Sequence, residues 1–326
     1  MKKTEVTIIL CTYNPDLKKL MASVKAAVCQ KGIAFEIIIS DDGSNNDYFR
    51  ELNQYFNRVH FDDYLFIKNH KNVGTVKNIL GALKHANGEY VFYNSPGDYI
   101  FDSKSMADFY HFAKSKNADI CFGNYIPYSF DGKEVKYSDY CKPKNVKVYN
   151  YHFNNYKALF LTDDGIVGAS YFRSRKFAMD SMQYIVNHSN FVEDGTTTAY
   201  GLANNIHVYF YNRSIVWYEY GYGISTNNSS KWAKRIHDDF VNTFNVLIND
   251  YPKDHYLKAA LFYLEDTDKR FWKIKFFLRF PIIFLTKIRF KKMADRKLSV
   301  NKEEENYLLS LIKDNERELC SLEKYN

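Results

Sequence analysis

No uncharged apolar run in this sequence approaches the roughly 20 residues a helix needs to cross a bilayer. Proline and glycine are sparse, at 6 and 14 in 326 residues, and no repeat or low-complexity segment is present, which excludes fibrous and linker-rich architectures. The five cysteines, Cys11, Cys29, Cys121, Cys141 and Cys320, are odd in number and scattered, with no C-x-x-C pair and no short Cys/His spacing. That excludes a zinc site or disulfide framework and predicts reduced thiols. The opening MKKTEVTIILC has two lysines but an apolar run broken at once by Thr12 and Asn14, so it lacks the core of a signal peptide and predicts a cytoplasmic chain. Acidic residues are missing from Lys269 to Ala294, where nine lysines and arginines stand alone; the net charge is +7, so the remainder sits at −2. A general nucleic-acid surface is therefore not expected, only one local basic element.

Apolar and aromatic residues are abundant: 46% of the chain is hydrophobic and 17% aromatic, with 28 Tyr and 26 Phe. This suffices for a full core in one large domain plus an appendage, or in two domains. Residues 6–11, 35–40, 64–68, 90–94 and 119–122 read as strands. Residues 16–30, 47–58, 75–86 and 103–116 between them carry the helical period. Such alternation predicts a largely parallel sheet covered on both faces, with ligands beyond the carboxyl ends of its strands. Residues 126–148, with Asp131-Gly132, read as a hairpin or long loop near the site. Residues 166–172, 206–211 and 215–220 read as added strands, 174–187 and 196–204 as helices, and the chain after Asn228 as helical throughout.

The strand ends carry the chemistry. After the first comes Thr12-Tyr13-Asn14-Pro15, and after the second Asp41-Asp42-Gly43-Ser44. Paired carboxylates there can accept hydrogen bonds from a base edge or ribose hydroxyls, or merely form a turn and helix cap. Asn72-Val73-Gly74 then precedes a helix with Lys77 and Asn78. Gly88-Glu89-Tyr90 enters the fourth strand, which ends in Asn94-Ser95-Pro96-Gly97-Asp98. No G-x-G-x-x-G follows the first strand, so a dinucleotide fold is not indicated. The ordered set over roughly residues 6–220 resembles the family 2 glycosyltransferases, bacterial surface-polysaccharide type, whose fold is GT-A. The resemblance implies an α/β Rossmann-like, mostly parallel sheet with helices on both faces, and a helical C-terminal extension.

The same resemblance implies site roles. Tyr13 would stack on the nucleobase of a nucleotide-sugar donor, with Thr12, Asn14 and Ser95 lining the nucleotide. Asp42, with Asp41 close by, would bind the base, and Lys77 would stand near the diphosphate. Those residue types suit the roles: an aromatic offers a π-face, a carboxylate accepts from an imide N–H, and a cation offsets phosphate charge. Where the family has an Asp-x-Asp-Asp-like run, this chain has Ser95-Pro96-Gly97-Asp98, leaving Asp98 as candidate ligand for Mn²⁺ or Mg²⁺. Glu193-Asp194 resembles the family's acidic motif, with Asp194 the general base. Asp163-Asp164 is a competing acidic pair, and the segments 168–173 and 222–226 resemble acceptor and donor loops.

Residues 271–292, FWKIKFFLRFPIIFLTKIRFKK, mix bulky apolar residues with cations. They predict an element lying in the headgroup region of an anionic membrane, with Trp272, Phe276, Phe277, Ile282, Ile283 and Phe284 inserting and Pro281 breaking the helix. The alternative is packing on the catalytic domain. The whole reads as a catalytic domain over residues 1–227 and a helical, membrane-associating region over 228–326. The expected activity is inverting transfer of a sugar from a nucleotide-diphosphate donor, a UDP-sugar, to a hydroxyl of a saccharide or lipid-linked acceptor in cell-surface polysaccharide synthesis, peripheral to the inner face of the cell membrane. Two readings compete with it: a sugar-nucleotide-binding subunit without turnover, and a nucleic-acid module, against which the local confinement of the basic charge argues.

Overall fold

The computed structural model describes residues 3–139, 142–143, 145–150, 152–162, 166, 168–220, 230–266, 271–292 and 297–323. Asp163-Asp164, the segment 222–226, Cys141, Lys269 and Arg270 lie outside them.

The first half alternates as expected: β1 (Val6–Thr12), α1 (Leu17–Val28), β2 (Phe35–Asp41), α2 (Phe49–Arg58), β3 (Tyr64–Lys68), α3 (Thr75–Leu83), β4 (Tyr90–Asn94), the short β5 (Tyr99–Ile100) and α4 (Ser105–Lys116). There follow β6 (Ile120–Phe130), β7 (Val135–Tyr137), α5 (Phe153–Thr162), β8 (Tyr171–Ser174), α6 (Arg175–Ile185), α7 (Asp194–Ala203) and β9 (Val208–Glu219). The sheet order is β3-β2-β1-β4-β8-β6-β9-β5, with β7 on β6. Pairing is parallel from β3 through β4, becomes antiparallel at β8, and is parallel again between β6 and β9.

Strand alternation explains the layers. Val6, Ile8 and Leu10 bury one face of β1 against α1, α2 and α4, while Ile9 on the other face packs with Val76 and Ile79 of α3 and Met182 of α6. Both faces are thus covered and the strands read as continuous apolar runs. Two expectations change. Residues 206–211 and 215–220 are one strand, because the polar Asn212-Arg213 is absorbed as an irregularity: Gly123 pairs with Tyr211 and Asn124 with Ser214. Such a bulge lets a strand continue past residues that read locally as a turn. And among the described residues of the strand expected at 166–172, Tyr171 and Phe172 are extended, in β8, with the 3₁₀ turn Gly168–Ser170 preceding them. The hairpin expected after residue 126 is formed by β6 and β7.

The last third is helical: α8 (Ser230–Asp250), α9 (His255–Asp266), α10 (Trp272–Arg279), α11 (Pro281–Lys292) and α12 (Lys302–Glu323). It shares its cores with the rest. Phe244 and Leu247 of α8, Leu257 of α9 and Phe290 of α11 pack with Ile120 and Phe122 of β6 and Leu202 of α7. Leu308 and Leu311 of α12 sit in the cluster of α1. The boundary expected at residue 227 therefore cuts through common packing.

Pro281 breaks the basic aromatic stretch as expected, taking the first position of α11, where its missing N–H costs nothing. The list of inserting residues is corrected. Phe276 and Ile283 are buried with Ala158, Ala259 and Phe280, and Trp272 and Phe284 pack against that cluster. The period of 3.6 sends a different set outward: Ile274, Phe277, Leu278, Ile282, Leu285 and Ile288 are exposed, Leu278 and Ile282 by about three-quarters. Lys287 also turns inward, its Nζ donating to Thr162 O at 2.9 Å and lying 3.9 Å from the Tyr263 ring centroid.

Candidate active site

The turns after β1 and β2 are sewn together. Buried Thr12 donates from Oγ1 to Asp41 Oδ1 at 2.9 Å, Ser44 N donates to Asp41 Oδ2 at 2.8 Å, and the Ser44 hydroxyl also bonds Oδ1. Asn14 N donates to Ser44 Oγ at 2.7 Å and Asn45 N to Asn14 Oδ1 at 3.1 Å. Asp42 ties in the third turn: Oδ1 accepts from Val73 N at 2.8 Å and from Asn69 Nδ2, and Oδ2 from Gly74 N at 2.9 Å. Gly43 permits this closeness, since at its φ of +77° a Cβ would stand 2.5 Å from the Lys71 backbone. Two of the residues expected to hold the donor thus first hold one another. A carboxylate has about four acceptor positions, so the second lone pair of Asp42 Oδ2 remains for an incoming N–H.

Around this brace the other expected residues are placed for contact. Tyr13 is 54% exposed beside the Asp41–Ser44 turn, which a core tyrosine would not be. Ser95 is exposed at the end of β4. Lys77 is exposed in the first turn of α3 with no ion-pair partner among the described residues. A cation there opposes the helix dipole, so its position is not explained by the stability of α3.

The fourth strand end does not suit a metal. Asp98 points inward, its Oδ1 accepting from Glu219 N at 3.1 Å. Burial, aided by the nearby Glu219 charge, lifts its carboxyl to about 8 against the opposing Glu219 N–H bond. Glu219 occupies the space beside Gly97 where a side chain would project, and Lys19 Nζ neutralises it at 2.7 Å. Among the described residues no three His, Cys, Asp or Glu converge on a cation site. On this geometry the expectation that Asp98 holds Mn²⁺ or Mg²⁺ gains no support: its carboxyl is turned to Glu219, and no companion donors stand beside it among the described residues.

Glu193 and Asp194 open α7. Arg173 of β8, fully buried, brings Nη2 to 3.4 Å from Glu193 Oε2, and its guanidinium lies between the rings of Tyr93 and Tyr171 at 4.8 and 4.7 Å. Its Nε and Nη1 have no partner among the described residues. Burial raises the proton affinity of both acids, and the Arg173 charge opposes that rise. Asp194 is the less buried of the two, its Oδ1 accepting from Gly195 N at 2.6 Å. A partly exposed carboxylate of raised basicity fits a group that accepts a hydroxyl proton.

The loop before this pair is held from a distance. Asp239 of α8 accepts on Oδ2 from Asn190 N at 2.9 Å, Phe191 N at 2.7 Å, Val192 N at 3.2 Å and Ser189 Oγ at 3.1 Å. Asn190 O accepts from Val76 N at 3.1 Å and lies against Gly74. One connection therefore runs from Asp42 to Gly74 N, along the backbone to Val76, and from Val76 N through Asn190 to Asp239. Asp239 lies inside a helix with no local motif to mark it, and Arg173 closes the 168–173 segment, which the resemblance marks without giving it a role.

Comparison with known proteins agrees with this layout. The model of the family described as glycosyl transferase family 2 matches residues 7–179. A cholesterol galactosyltransferase of Borreliella burgdorferi is 34% identical over 128 residues, 39% of this chain and 34% of that protein. An uncharacterised glycosyltransferase of Methanocaldococcus jannaschii is 27% identical over 126 residues, 37% and 42% of the two chains. The chain thus matches well under half the length of these relatives. Among solved structures, residues 1–349 of S. aureus TarS in complex with UDP-GlcNAc superpose with a TM-score of 0.58 at 16% identity, covering 96% of this chain and 90% of that one. The mannosyltransferase of Pyrobaculum calidifontis in complex with GDP-Man and Mn²⁺ gives 0.53 at 13%, covering 97% and 88%. With more than half of its length matched by the family model and its strand-end turns in the family's order, the chain belongs to glycosyl transferase family 2 and has the GT-A fold.

Proposed function

We propose that the protein is an inverting transferase that moves a sugar from a nucleotide-diphosphate donor, a UDP-sugar, to a hydroxyl of a saccharide or lipid-linked acceptor in cell-surface polysaccharide synthesis. The observation that carries this reading is the partly exposed Asp194, raised in basicity, on a loop bonded to the turn that Asp42 closes. In the step, the acceptor oxygen bonds to the anomeric carbon as its proton passes to Asp194. The carbon–oxygen bond to the diphosphate breaks on the opposite face, and Lys77 offsets the charge on the leaving group. Tyr13 stacks on the base and Asp42 Oδ2 accepts its N–H, with Thr12, Asn14, Asp41 and Ser95 shaping the cradle. Glu193, paired with Arg173, holds the turn that presents Asp194. No step is assigned to Mn²⁺ or Mg²⁺.

The relative acting on cholesterol supports an acceptor at a lipid surface. No described helix is long and apolar enough to cross a membrane. Instead the outward stripe of Ile274, Leu278, Ile282 and Leu285, bordered by Lys273, Lys275, Arg279 and Lys291, docks on an anionic leaflet from the cytoplasmic side. Ser95 and Gly97, in place of the family's acids, favour one second reading, a donor-binding subunit that does not turn over. Proton NMR of the product formed from a panel of nucleotide sugars tests both. An inverted anomeric configuration is expected; a retained one overturns the mechanism, and donor binding without any product establishes the second reading.

A further inference from the structure

A cavity of about 220 Å³ lies beside the acidic pair, between α5, α7, α8 and α9. Its walls are the side chains of Phe160, Ile166, Tyr171, Phe240, Phe244 and Leu264, with Gly195 and Thr198 of α7 closing one end. Gly195 directly follows Asp194, and a Cβ on it would stand 2.5 Å from the Phe240 ring. The cavity therefore reaches the turn that presents the base. Tyr263 also lines it, and its ring packs on Trp272 at 5.4 Å and Phe276 at 6.2 Å. These residues belong to the inner side of α10, the helix whose outer side carries Ile274 and Leu278.

The polar groups in this wall are already spent. Thr162 Oγ1 donates to Ala158 O, Thr198 Oγ1 donates to Asp194 O at 2.7 Å, and the Tyr171 hydroxyl is bonded with Thr198. Among the described residues no carboxylate, amide side chain or charged group lines it. A saccharide placed there would lose its hydrogen bonds to water without replacement, at a cost of roughly 1–3 kcal/mol for each buried polar group. Hydrocarbon would lose none. An apolar cavity of about 150 Å³ is already large enough to bind benzene.

We propose that this cavity is the acceptor's apolar subsite: it seats the hydrocarbon next to the reacting hydroxyl of a lipid, so that the hydroxyl emerges at Asp194. The inference rests on Asp194 being the base and names the acceptor class for that reaction, a lipid whose hydroxyl lies within a few carbons of bulk hydrocarbon.

Straight-chain 1-alkanols from butanol to octanol, titrated against the intact protein by calorimetry, test it without requiring turnover. Affinity should rise about fourfold per methylene, from ~0.8 kcal/mol each, until the chain outgrows the cavity. Leu264→Trp, on a half-buried residue of the wall, should abolish that dependence while nucleotide affinity is kept, and Ile166→Phe should shorten the longest chain accepted. Leu278→Glu, on the outer stripe, should leave it intact. Alkanol binding that survives Leu264→Trp, that disappears with Leu278→Glu, or that shows no chain-length dependence overturns the proposal. Transfer to the same alkanols should follow the same order. Alkanols that bind in this pattern yet never receive sugar would support the cavity and count against the transferase reading alone.

Discussion

The two sides of the active site are built differently. On the donor side, the ends of three successive strands each carry their residues in a short turn, and Asp41 and Asp42 tie those turns together by bonds to Ser44, Thr12, Val73 and Gly74, the last three across 29 to 32 positions of sequence. On the base side, Asp194 is presented by a loop anchored by residues that no short motif marks, Arg173 on β8 and Asp239 on α8. The donor side is assembled from short local motifs, and the base side from the packed fold. The helical last third takes part in the proposed site, because α8 fixes the loop that carries the proposed base.

The sharpest way to separate the sides is Asp194→Asn. An amide cannot take the acceptor's proton, so transfer should fall by about 10²–10⁴-fold, while nucleotide affinity, measured by calorimetry, stays within about twofold. A variant that transfers at the wild-type rate removes Asp194 from its role. Arg173→Met probes the support behind it. Arg173 holds down the proton affinity of Glu193 and Asp194 against burial. Facing the pair are also Tyr171 on β8, Tyr93 on β4 and Cys11 on β1, all neutral at working pH. Losing the guanidinium should therefore move the acidic limb of the pH–rate profile to higher pH, with roughly tenfold lower activity at neutral pH. Arg173→Lys should restore most of that shift, and an unmoved limb would make Arg173 a packing residue only.

Much of the donor side was legible because its chemistry and its local structure coincide. Asp42-Gly43 needs a glycine at positive φ next to a carboxylate, and that requirement is written in adjacent letters; the same holds for Asn72-Val73-Gly74. Asp239 was not legible, since an acid on an amphipathic helix usually faces water and only the tertiary fold turns this one onto three backbone N–H groups. The outward stripe of α10 and α11 was misassigned for a related reason: every residue type in that stretch suits both a core and a membrane, and which face turns inward depends on α5 and α9. Asp98 was read from its place in a motif, whereas its carboxyl is turned to Glu219 by β9, over a hundred positions later.

The smallest effect is expected at that residue. Asp98→Asn keeps an oxygen for the Glu219 N–H, so transfer should stay within about twofold, with or without added Mn²⁺. Its signature is in stability. The wild-type carboxyl sits at about 8 when folded and near ~3.9 when unfolded, so the native state binds the extra proton between those values. Wild-type stability should therefore fall as pH rises from about 4 to 8 relative to Asp98→Asn, as urea melts at several pH values would show. A hundredfold loss of transfer would restore Asp98 as a metal ligand.

The division of labour itself is tested most directly by measuring nucleotide affinity and single-turnover rate at saturating donor side by side in Tyr13→Ala and Asp239→Ala. Tyr13 is exposed and braces nothing, so its loss should weaken donor binding by the ~1–3 kcal/mol of a base stack and leave the saturated rate unchanged. Asp239→Ala frees three backbone N–H groups of the base loop and should lower the saturated rate by roughly tenfold or more with donor affinity intact. That crossed pattern is what two separately built sides require; both variants losing affinity and rate together would contradict it.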